Sequence, residues 1–475
     1  MSVPPRASAS QARPDARLTA AIVAGQLTGA LSRRLGRGGG TTLPGQVSQL
    51  VDRGSLTKLG AALRDGSVVV TGTNGKTTTT RLIASILRAA GRRVVHNRSG
   101  ANLVSGVASA LVGSAHPAGR VGGDVGLFEV DEASVAAVVA ALRPRVLAVN
   151  NLFRDQLDRY GEVTYVARTW RRAVERLDGR SVLVLNADDP SVAALGRGAP
   201  GPVVYVGVDD LSQAGPRLEH TADARLCPIC GGRLRYSAVF YGHVGHYACP
   251  DCGFARPRPG IAAGAVAPEA ADRTRAALAT PAGAIELSLP LPGLYNVYNA
   301  LLALGVAHAL GLSLAGAAAT AGHFSAAFGR IERVAVDGRT AFLALVKNPV
   351  GFNQVLRSLL ATEEGAHVLI AINDRLADGT DVSWLWDVDV DTLASRAGAL
   401  TVSGTRAEDM LVRLKYGGVD PSRVALVRPL AAAFDRALAA VQPGGTLYVL
   451  PTYTAMLELR AELARRGLVA PFWED

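Results

Sequence analysis

The sequence is poor in aromatic residues and in long apolar runs. Phe, Trp and Tyr together make up 5% of its 475 residues, and no apolar stretch is long and uninterrupted enough to span a bilayer as a helix. Residues 1–17 are rich in Ser, Pro, Ala and Arg and lack the hydrophobic core of a secretory signal. We therefore expect a cytoplasmic protein that begins with a flexible arm.

Cysteine is also scarce, and all four cysteines fall in one short segment. Two Cys-x-x-Cys pairs are separated by 18 residues: Cys227 with Cys230, and Cys249 with Cys252. Turns of the form Cys-Pro-x-Cys-Gly are typical of zinc knuckles, in which four thiolates enclose one Zn²⁺ in a structural site. Two disulfides are the alternative, which a cytoplasmic location disfavours. We therefore predict a structural zinc ribbon.

Zinc binding by all four cysteines affects the interpretation of other residues. No cysteine would remain to act as a nucleophile, so chemistry that needs a catalytic thiol would require another chain. We interpret the nearby His243 and His246 as surface residues, because four sulfurs already complete a tetrahedral site.

The chain has more basic than acidic residues, which favours an anionic partner. The formal net charge is +10, which suits a nucleotide, a nucleic acid or a phosphorylated lipid at a membrane. Residues 20–35 form an amphipathic, basic pattern that we expect to pack on the protein, with contact to the inner face of the membrane as the alternative. A chain of 475 residues is longer than a single hydrophobic core usually supports, so we expect more than one domain.

The strongest motif lies between an apolar run and a helical pattern. The apolar residues 68–70 predict a buried parallel strand, and residues 81–87 predict a helix. A glycine-rich turn between them aims backbone N–H groups and a helix N-terminus at phosphate. In such loops the lysine reaches the terminal phosphates and the next hydroxyl holds Mg²⁺. The residues expected to contact the nucleotide are Gly72, Thr73, Asn74, Gly75, Lys76, Thr77 and Thr78.

Three later apolar segments end in acidic or amide side chains. Residues 125–132 contain Glu129, residues 145–151 end in Asn151, and residues 181–190 include Asp188 and Asp189. Side chains at the carboxyl ends of parallel strands lie at one edge of a sheet, over the nucleotide site where Mg²⁺ must be held. The order of these segments behind the phosphate loop predicts an α/β nucleotide-binding domain.

In this combination the motifs resemble the Mur ligase superfamily. The matching segments are Gly-Thr-Asn-Gly-Lys-Thr-Thr at 72–78, the strand ending at Glu129, Asn151 with Asp-Gln-Leu-Asp at 155–158, Asn-Ala-Asp-Asp at 186–189, and Gly-Leu-Tyr-Asn-Val-Tyr-Asn-Ala at 293–300. Gln156 stands where many members have a histidine that helps to hold a second metal ion. A second Mg²⁺ site is therefore left open.

The resemblance implies a role for five residues at the nucleotide site. The loop lysine and the first loop threonine bind phosphate and Mg²⁺, the strand-end glutamate binds Mg²⁺, and the Asn-x-x-Asn helix start contacts the nucleotide. In this sequence these residues are Lys76, Thr77, Glu129, Asn296 and Asn299.

Three further features narrow the resemblance to the MurT family, the ligase-like subunits of lipid II isoglutaminyl synthase. They are the four-cysteine ribbon, the short arm in place of the usual N-terminal substrate domain, and the sequence of residues 373–384. The resemblance implies ATP-dependent amidation of the D-glutamate α-carboxylate of lipid II to D-isoglutamine, through an acyl phosphate. It also implies ATP, Mg²⁺ and Zn²⁺ as cofactors, and a GatD-like class I glutaminase that forms a heterodimer with the ligase and supplies ammonia.

The resemblance further implies that this chain lends a carboxylate to the catalytic triad of the glutaminase. Asp374, Asp378 and Asp381 are the candidates, and the choice among them is left open. The family pattern Asp-Gly-x-Asp-x-Ser-Trp favours Asp381, with Trp384 as an anchor for the partner. The alternative role for Asp381 is to cap the helix that follows.

We therefore predict an α/β fold with a Mur ligase-type central P-loop domain, an inserted four-cysteine zinc ribbon and a C-terminal α/β domain. The expected ranges are 1–53 for the arm and amphipathic helix, 54–328 for the central domain, 220–258 for the ribbon and 329–475 for the last domain. Two alternatives are an amino-acid-adding Mur ligase or folylpolyglutamate synthase, and a zinc-ribbon NTPase that binds nucleic acid. The ribbon lacks a dense Arg/Lys–aromatic face, so we expect no nucleic-acid partner.

Overall fold

The computed structural model of the chain describes residues 15–34, 42–97, 100–154, 163–215, 218, 222–270, 273–324, 331–360 and 364–469. These residues form two compact units. Nearly all described residues up to Phe324 belong to the first unit, and those from Ile331 onward belong to the second. Within the described ranges, no helix is long and apolar enough to cross a membrane.

Helices and strands alternate along most of the first unit. Its helices are α1 (Ala16–Arg34), α2 (Leu43–Val51), α3 (Ser55–Ala61), α4 (Lys76–Ala89), α5 (Val104–Gly113), α6 (Val135–Leu142), α7 (Val163–Glu175), α8 (Pro190–Ala193), α9 (Leu294–Ala309) and α10 (Leu314–Ala321). Its strands are β1 (Ser67–Thr71), β2 (Val94–His96), β3 (Val125–Glu129), β4 (Val146–Val149), β5 (Val182–Asn186), β6 (Val203–Val208), β7 (Arg235–Tyr241), β8 (Val244–Ala248), β9 (Ile261–Ala270), β10 (Arg273–Thr280) and β11 (Gly283–Leu289).

Nine of these strands form one sheet in the order β11-β10-β9-β6-β5-β4-β1-β3-β2. Strands β1 to β6 and β9 run parallel, whereas β10 and β11 extend the sheet as antiparallel strands. Every residue of β1, β3, β4 and β5 is buried, as expected for apolar strands covered on both faces. β1 lies between β3 and β4, and such a reversal of strand order opens a crevice at the carboxyl ends.

The N-terminal helices pack against one another beside this sheet. α1 contacts α2 and α5, and it buries Leu18, Ala21 and Ile22 together with Gly25 and Gly29. We expected an amphipathic helix here, but its outward side also carries apolar side chains. Val23, Leu27 and Leu31 recur there at intervals of four residues and are exposed. The polar and basic residues lie mainly at the helix ends, so the apolar pattern is not confined to one face.

The cysteine segment forms a small ribbon between β6 and β9. β7 and β8 pair as an antiparallel hairpin, and isolated bridges between Leu226 and Arg233 and between Ala248 and Ala255 close the two knuckle turns. The ribbon shares a small apolar cluster with the short helix α8, and its members are Ala193, Ala194, Cys227, Leu234, Tyr247, Cys249 and Phe254.

The second unit is a six-stranded sheet in the order β12-β13-β17-β14-β15-β16. Its strands are β12 (Ile331–Val336), β13 (Arg339–Ala344), β14 (Ala366–Ala371), β15 (Ala397–Ser403), β16 (Val424–Leu426) and β17 (Thr446–Pro451). Its helices are α11 (Pro349–Leu360), α12 (Asp391–Arg396), α13 (Ala407–Tyr416), α14 (Leu430–Ala439) and α15 (Tyr453–Arg465). Only the edge strand β12 runs antiparallel to its neighbour, and apolar clusters cover both faces of the sheet.

Candidate functional site

The phosphate-loop motif lies in the turn between β1 and α4. β1 ends at Thr71 and α4 begins at Lys76, so the turn joins the strand and the helix that the sequence predicts. Gly75 has a positive φ of 83°, and a Cβ atom there would lie 2.0 Å from Oδ1 of Asn299. A side chain would therefore clash at this point, and glycine allows the loop to approach the first turns of α9.

The Lys76 side chain folds back over the loop into a buried ion pair. Its Nζ donates to the Gly72 carbonyl oxygen at 2.6 Å and lies 3.0 Å from both carboxylate oxygens of Glu132. The Lys76 and Glu132 side chains are 7% and 5% exposed, so little water screens their attraction. Sequence reasoning missed Glu132 as a site residue. Its only signal was its place just after the strand that ends at Glu129.

Thr77 and Glu129 form an oxygen pair that suits a hard cation. Thr77 Oγ1 donates to Glu129 Oε2 at 2.8 Å, and both residues are buried. Two hydrogen bonds between the Glu129 backbone and the Asn97 side chain fix this end of β3. Mg²⁺ accepts hydroxyl and carboxylate oxygens as ligands together with phosphate oxygens and water. The donor set therefore fits the ion that the sequence predicts at these two residues.

Amide side chains connect the loop to α9. Asn299 Nδ2 donates to Asn296 Oδ1 at 3.1 Å, and Asn299 Oδ1 accepts hydrogen bonds from Asn150 Nδ2 at 2.8 Å and from Thr79 Oγ1 at 3.2 Å. The two asparagines predicted for nucleotide contact therefore lie beside the phosphate loop. Asn150 is an additional member that the sequence suggested only through its position at the end of β4.

The segment that follows β4 holds the loop backbone in place. Asn151 Oδ1 accepts from the Asn74 amide at 2.8 Å, and the Asn151 carbonyl accepts from the Thr73 amide at 2.9 Å. Thr73 Oγ1 accepts from the Phe153 amide at 2.9 Å and donates to the Phe153 carbonyl at 3.1 Å. Thr78 is buried in the first turn of α4. Gln156, with the question of a second metal ion, lies outside the described residues.

The four cysteines converge on one point as free thiols. Their sulfur atoms all lie within 4.8 Å of one another, with Cys227 Sγ 3.7 Å from Cys252 Sγ and Cys230 Sγ 3.5 Å from Cys249 Sγ. A tetrahedral ion with metal–sulfur bonds of about 2.3 Å requires sulfur–sulfur distances of roughly 3.8 Å. The four-sulfur set therefore fits a tetrahedral metal ion.

One of these thiols has a lowered pKa, and a lowered pKa favours the thiolate that binds metal. Burial alone would raise the pKa of the Cys249 thiol, but the backbone amides of Cys252 and Asp251 and the neighbouring thiols lower it to about 7. Metal ligation requires the thiolate, which this lowered pKa favours at Cys249.

The two histidines of the ribbon are not surface residues as interpreted from the sequence. His243 is fully buried at the hairpin tip, where its Nε2 lies 3.3 Å from Asp189 Oδ2. His246 is half-buried, and its Nε2 lies 2.8 Å from the Val208 carbonyl. The interpretation was wrong because the hairpin packs against the carboxyl ends of β5 and β6, and sequence spacing gave no sign of that contact.

The three candidate aspartates of the second unit differ in their surroundings. Asp378 is buried and accepts hydrogen bonds from the Thr454 amide at 2.7 Å and hydroxyl at 2.5 Å. Asp374 accepts from the Thr405 hydroxyl at 2.8 Å. Asp381 is exposed and accepts from the Ser383 amide at 2.8 Å, a contact that also lowers the pKa of its carboxyl. Asp381 thus keeps an ionised carboxylate at the surface.

The two tryptophans that follow Asp381 differ in their surroundings. Trp384 is half-buried and packs against Phe352, with ring centroids 6.4 Å apart. Trp386 is 54% exposed and lies beside Tyr416, with ring centroids 5.8 Å apart. Trp384 therefore packs on the core of its own unit, and Trp386 is the more exposed tryptophan of this segment.

Comparisons with solved structures identify the fold. A pseudomurein peptide ligase type C from Methanothermus fervidus is 23% identical with a TM-score of 0.64, covering 84% of this chain and 78% of that chain. The folylpolyglutamate synthase of Mycobacterium tuberculosis is 16% identical with a TM-score of 0.62, covering 94% and 99%. The family model of the Mur ligase middle domain matches residues 70–242. Fold and site together define an ATP-dependent ligase with the Mur ligase fold.

Relatives that are similar in sequence identify the family within this class of ligases. The model of the MurT ligase C-terminal domain matches residues 345–456. The subunit MurT of lipid II isoglutaminyl synthase (glutamine-hydrolyzing) from Streptococcus pneumoniae is 32% identical over 95% of this chain and 98% of its own length. The corresponding subunit from Staphylococcus aureus is 33% identical over 94% and 97%. The chain belongs to the MurT family, which confirms the resemblance seen in the sequence.

Proposed function

We propose that this chain is the ligase subunit of an enzyme that amidates the D-glutamate α-carboxylate of lipid II to D-isoglutamine. The observation that carries the proposal is the buried cluster of Lys76, Thr77 and Glu129 at the ends of β1 and β3. Such a cluster is suited to binding a nucleotide triphosphate with Mg²⁺. The relatives that match nearly the whole chain are named as this subunit.

The proposed reaction has two steps that use the same site. A carboxylate oxygen of D-glutamate attacks the γ-phosphorus of ATP, which gives an acyl phosphate and releases ADP. Ammonia then attacks the acyl carbon, and phosphate leaves with the electron pair of the broken C–O bond. The nitrogen loses a proton to give the amide. Lys76 neutralises phosphate charge in both steps, and the loop amides orient the transferred group. Bound Mg²⁺, held by Thr77 and Glu129, would offset charge on the phosphates.

The proposal includes a change of partner for Lys76. Its ammonium group is paired with Glu132. Phosphate oxygens would compete with this carboxylate for the same donor atoms, so Glu132 would keep the lysine aimed into the loop until ATP arrives. Asn296 and Asn299, which lie beside Gly75, would contact the nucleotide from α9.

We further propose that the ammonia comes from a separate GatD-like class I glutaminase bound as a heterodimer. The relatives are named as subunits of a glutamine-hydrolyzing synthase. Here all four cysteines converge on one candidate metal site, which we assign to structural Zn²⁺, and so no thiol remains for glutamine hydrolysis. The exposed Asp381 carboxylate would orient the catalytic histidine of that partner.

The place of action that we propose is the inner face of the membrane, where lipid II is available. Two features of α1 support it. Its outward side exposes Leu27 by 66% and Leu31 by 58%, and its sequence contains Arg17, Arg33 and Arg34 but no acidic residue. Apolar side chains flanked by arginines suit an anionic lipid surface.

The proposal is tested by the substrates that stimulate ADP release from the purified chain. We expect release to require lipid II and to rise with added ammonium salts. A requirement for a free amino acid in place of ammonia would indicate a conventional amino-acid-adding ligase, and stimulation by nucleic acid would indicate the NTPase alternative. Either result would contradict the proposal.

A further inference from the structure

The tip of the ribbon hairpin reaches the segment that holds the phosphate loop. Gly242 and His243 form the turn between β7 and β8. A Cβ atom on Gly242 would lie 2.8 Å from Cε1 of Phe153, and the His243 and Phe153 rings are 4.5 Å apart between centroids. Tyr241 adds a third ring, 6.0 Å from Phe153. The hairpin tip and Phe153 are therefore in close contact.

Phe153 is in turn bonded to the loop through its backbone. Its amide donates to Thr73 Oγ1, and its carbonyl accepts from the same hydroxyl. Phe153, His243 and Thr73 are each no more than 2% exposed. A buried aromatic contact thus connects the hairpin tip to the second residue of the phosphate loop.

A parallel connection runs through Asp189. His243 Nε2 lies 3.3 Å from Asp189 Oδ2, and the same oxygen accepts from the Leu152 amide at 2.8 Å. His243 Nδ1 accepts from the Asp223 amide at 3.3 Å, so the ring proton is on Nε2, which donates to Asp189. The imidazole therefore contacts Asp189, which holds the Leu152 amide, and also the ring of Phe153.

We propose that His243 is a positioning residue that couples the cysteine ribbon to the phosphate loop. The ribbon would act as a brace. When its four cysteines hold a metal ion, the hairpin keeps residues 152–153 in place, and these residues keep Thr73 and its neighbours in the conformation that accepts phosphate. Loss of His243 would loosen the loop and weaken nucleotide binding, although His243 would not touch the nucleotide. The inference rests on the proposed function only in assuming that this loop binds nucleotide.

The test measures the affinity of the full chain for MgADP directly, with a fluorescent ADP analogue or by calorimetry, and needs no amidation. We expect His243→Ala to bind MgADP about tenfold more weakly, within the usual range of coupling between sites. The metal content should remain that of the wild type. His246→Ala is the matched control, because it lies on the same hairpin and bonds to β6 instead of the loop segment. It should bind MgADP within about twofold of the wild type.

A conservative variant distinguishes positioning from general damage to the ribbon. His243→Gln keeps a donor for Asp189 but loses the ring, so it should recover part of the lost affinity. Chelation of the metal from the wild type should weaken MgADP binding as His243→Ala does, which gives a second measurement if that variant does not fold. Unchanged affinity in His243→Ala, or equal loss in His246→Ala, would overturn the coupling. Failure of the wild type to bind MgADP would instead contradict the proposed nucleotide site.

Discussion

At the scale of single residues, the proposed nucleotide site concentrates charge where water is largely excluded. Lys76 Nζ lies 3.0 Å from both carboxylate oxygens of Glu132, which follows β3, and both side chains are buried. This buried ion pair therefore bears on the stability of the chain as well as on the proposed mechanism. Removing either partner takes the opposite charge away from the other in buried surroundings.

We predict that Lys76→Ala abolishes ATP hydrolysis and amidation because phosphate loses its cation. The same change should lower the free energy of unfolding by about 3 kcal/mol, since the buried Glu132 carboxylate loses this ion pair. The double variant Lys76→Ala/Glu132→Gln should recover most of the stability and none of the activity. Denaturant unfolding and ADP release measure the two effects. Lys415→Ala, on the exposed side of α13, is the control. Turnover by Lys76→Ala would contradict the assignment of Lys76 to phosphate binding.

We predict that Asp381→Asn separates the two sources of ammonia. In the complex with a glutaminase, glutamine-dependent amidation should fall about 100-fold or more, because the partner's histidine loses its carboxylate. Amidation with ammonium salts should persist, since the ATP site is untouched. Asp374→Asn is the matched control on the same segment. Equal loss with both nitrogen sources would place Asp381 in the ligase chemistry or in the fold, and the shared triad would be wrong.

Sequence reasoning found the residues whose chemistry is tied to a local motif and missed those defined by tertiary contact. Lys76, Thr77 and Glu129 could be placed together because parallel strands end at one edge of a sheet. Glu132 and His243 could not, because their partners lie far along the chain and depend on how the ribbon and β3 pack. The importance of Asp378 to its own unit was hidden for the same reason, since Thr454 is remote in sequence.

At the scale of elements, apolar runs in the sequence correctly predicted the strands that are buried on both faces of the sheet. β1, β3, β4 and β5 are such runs, and each lies where the sequence predicts it. Strands β9 and β10 were not anticipated. They are rich in alanine, which gives little contrast between the two faces of a strand, and so the usual alternation is weak.

We predict that the cysteine ribbon contributes to stability through a bound metal ion. Purified chain should contain one Zn²⁺, and Cys227→Ser or treatment with a chelator should lower the melting temperature by about 5 °C or more. The expected reason is that the ribbon has only a small apolar cluster of its own. Metal analysis and thermal unfolding provide the measurements. A metal-free protein with two disulfides by mass spectrometry would refute the assignment.

We predict that α1 binds anionic membranes through its exposed apolar side. The wild type should sediment with vesicles that contain phosphatidylglycerol and much less with neutral phosphatidylcholine vesicles. Leu27→Glu with Leu31→Glu should abolish this binding, because both side chains lie on the exposed side of the helix. Leu376→Glu, at an exposed site in the second unit, is the control. Vesicle binding unaffected by the α1 changes would contradict the prediction.

At the scale of the whole molecule, we expect the chain to be one half of a two-part enzyme. The first unit holds the proposed nucleotide-binding cluster and the cysteine ribbon, and the second presents an ionised carboxylate at its surface. The relatives that match almost the full length are named as one subunit of a synthase. The expected division of labour is activation of a carboxylate on this chain and release of ammonia on the partner.

The most direct test of this account follows nitrogen into the product. Purified chain is incubated with lipid II, MgATP and isotopically labelled ammonium, and lipid II is analysed by mass spectrometry with fragmentation of its peptide. The account predicts one labelled nitrogen at the α-carboxyl of D-glutamate, formed in step with ADP and absent with Lys76→Ala. ADP release without labelled lipid II, or label at a different carboxyl group, would contradict it.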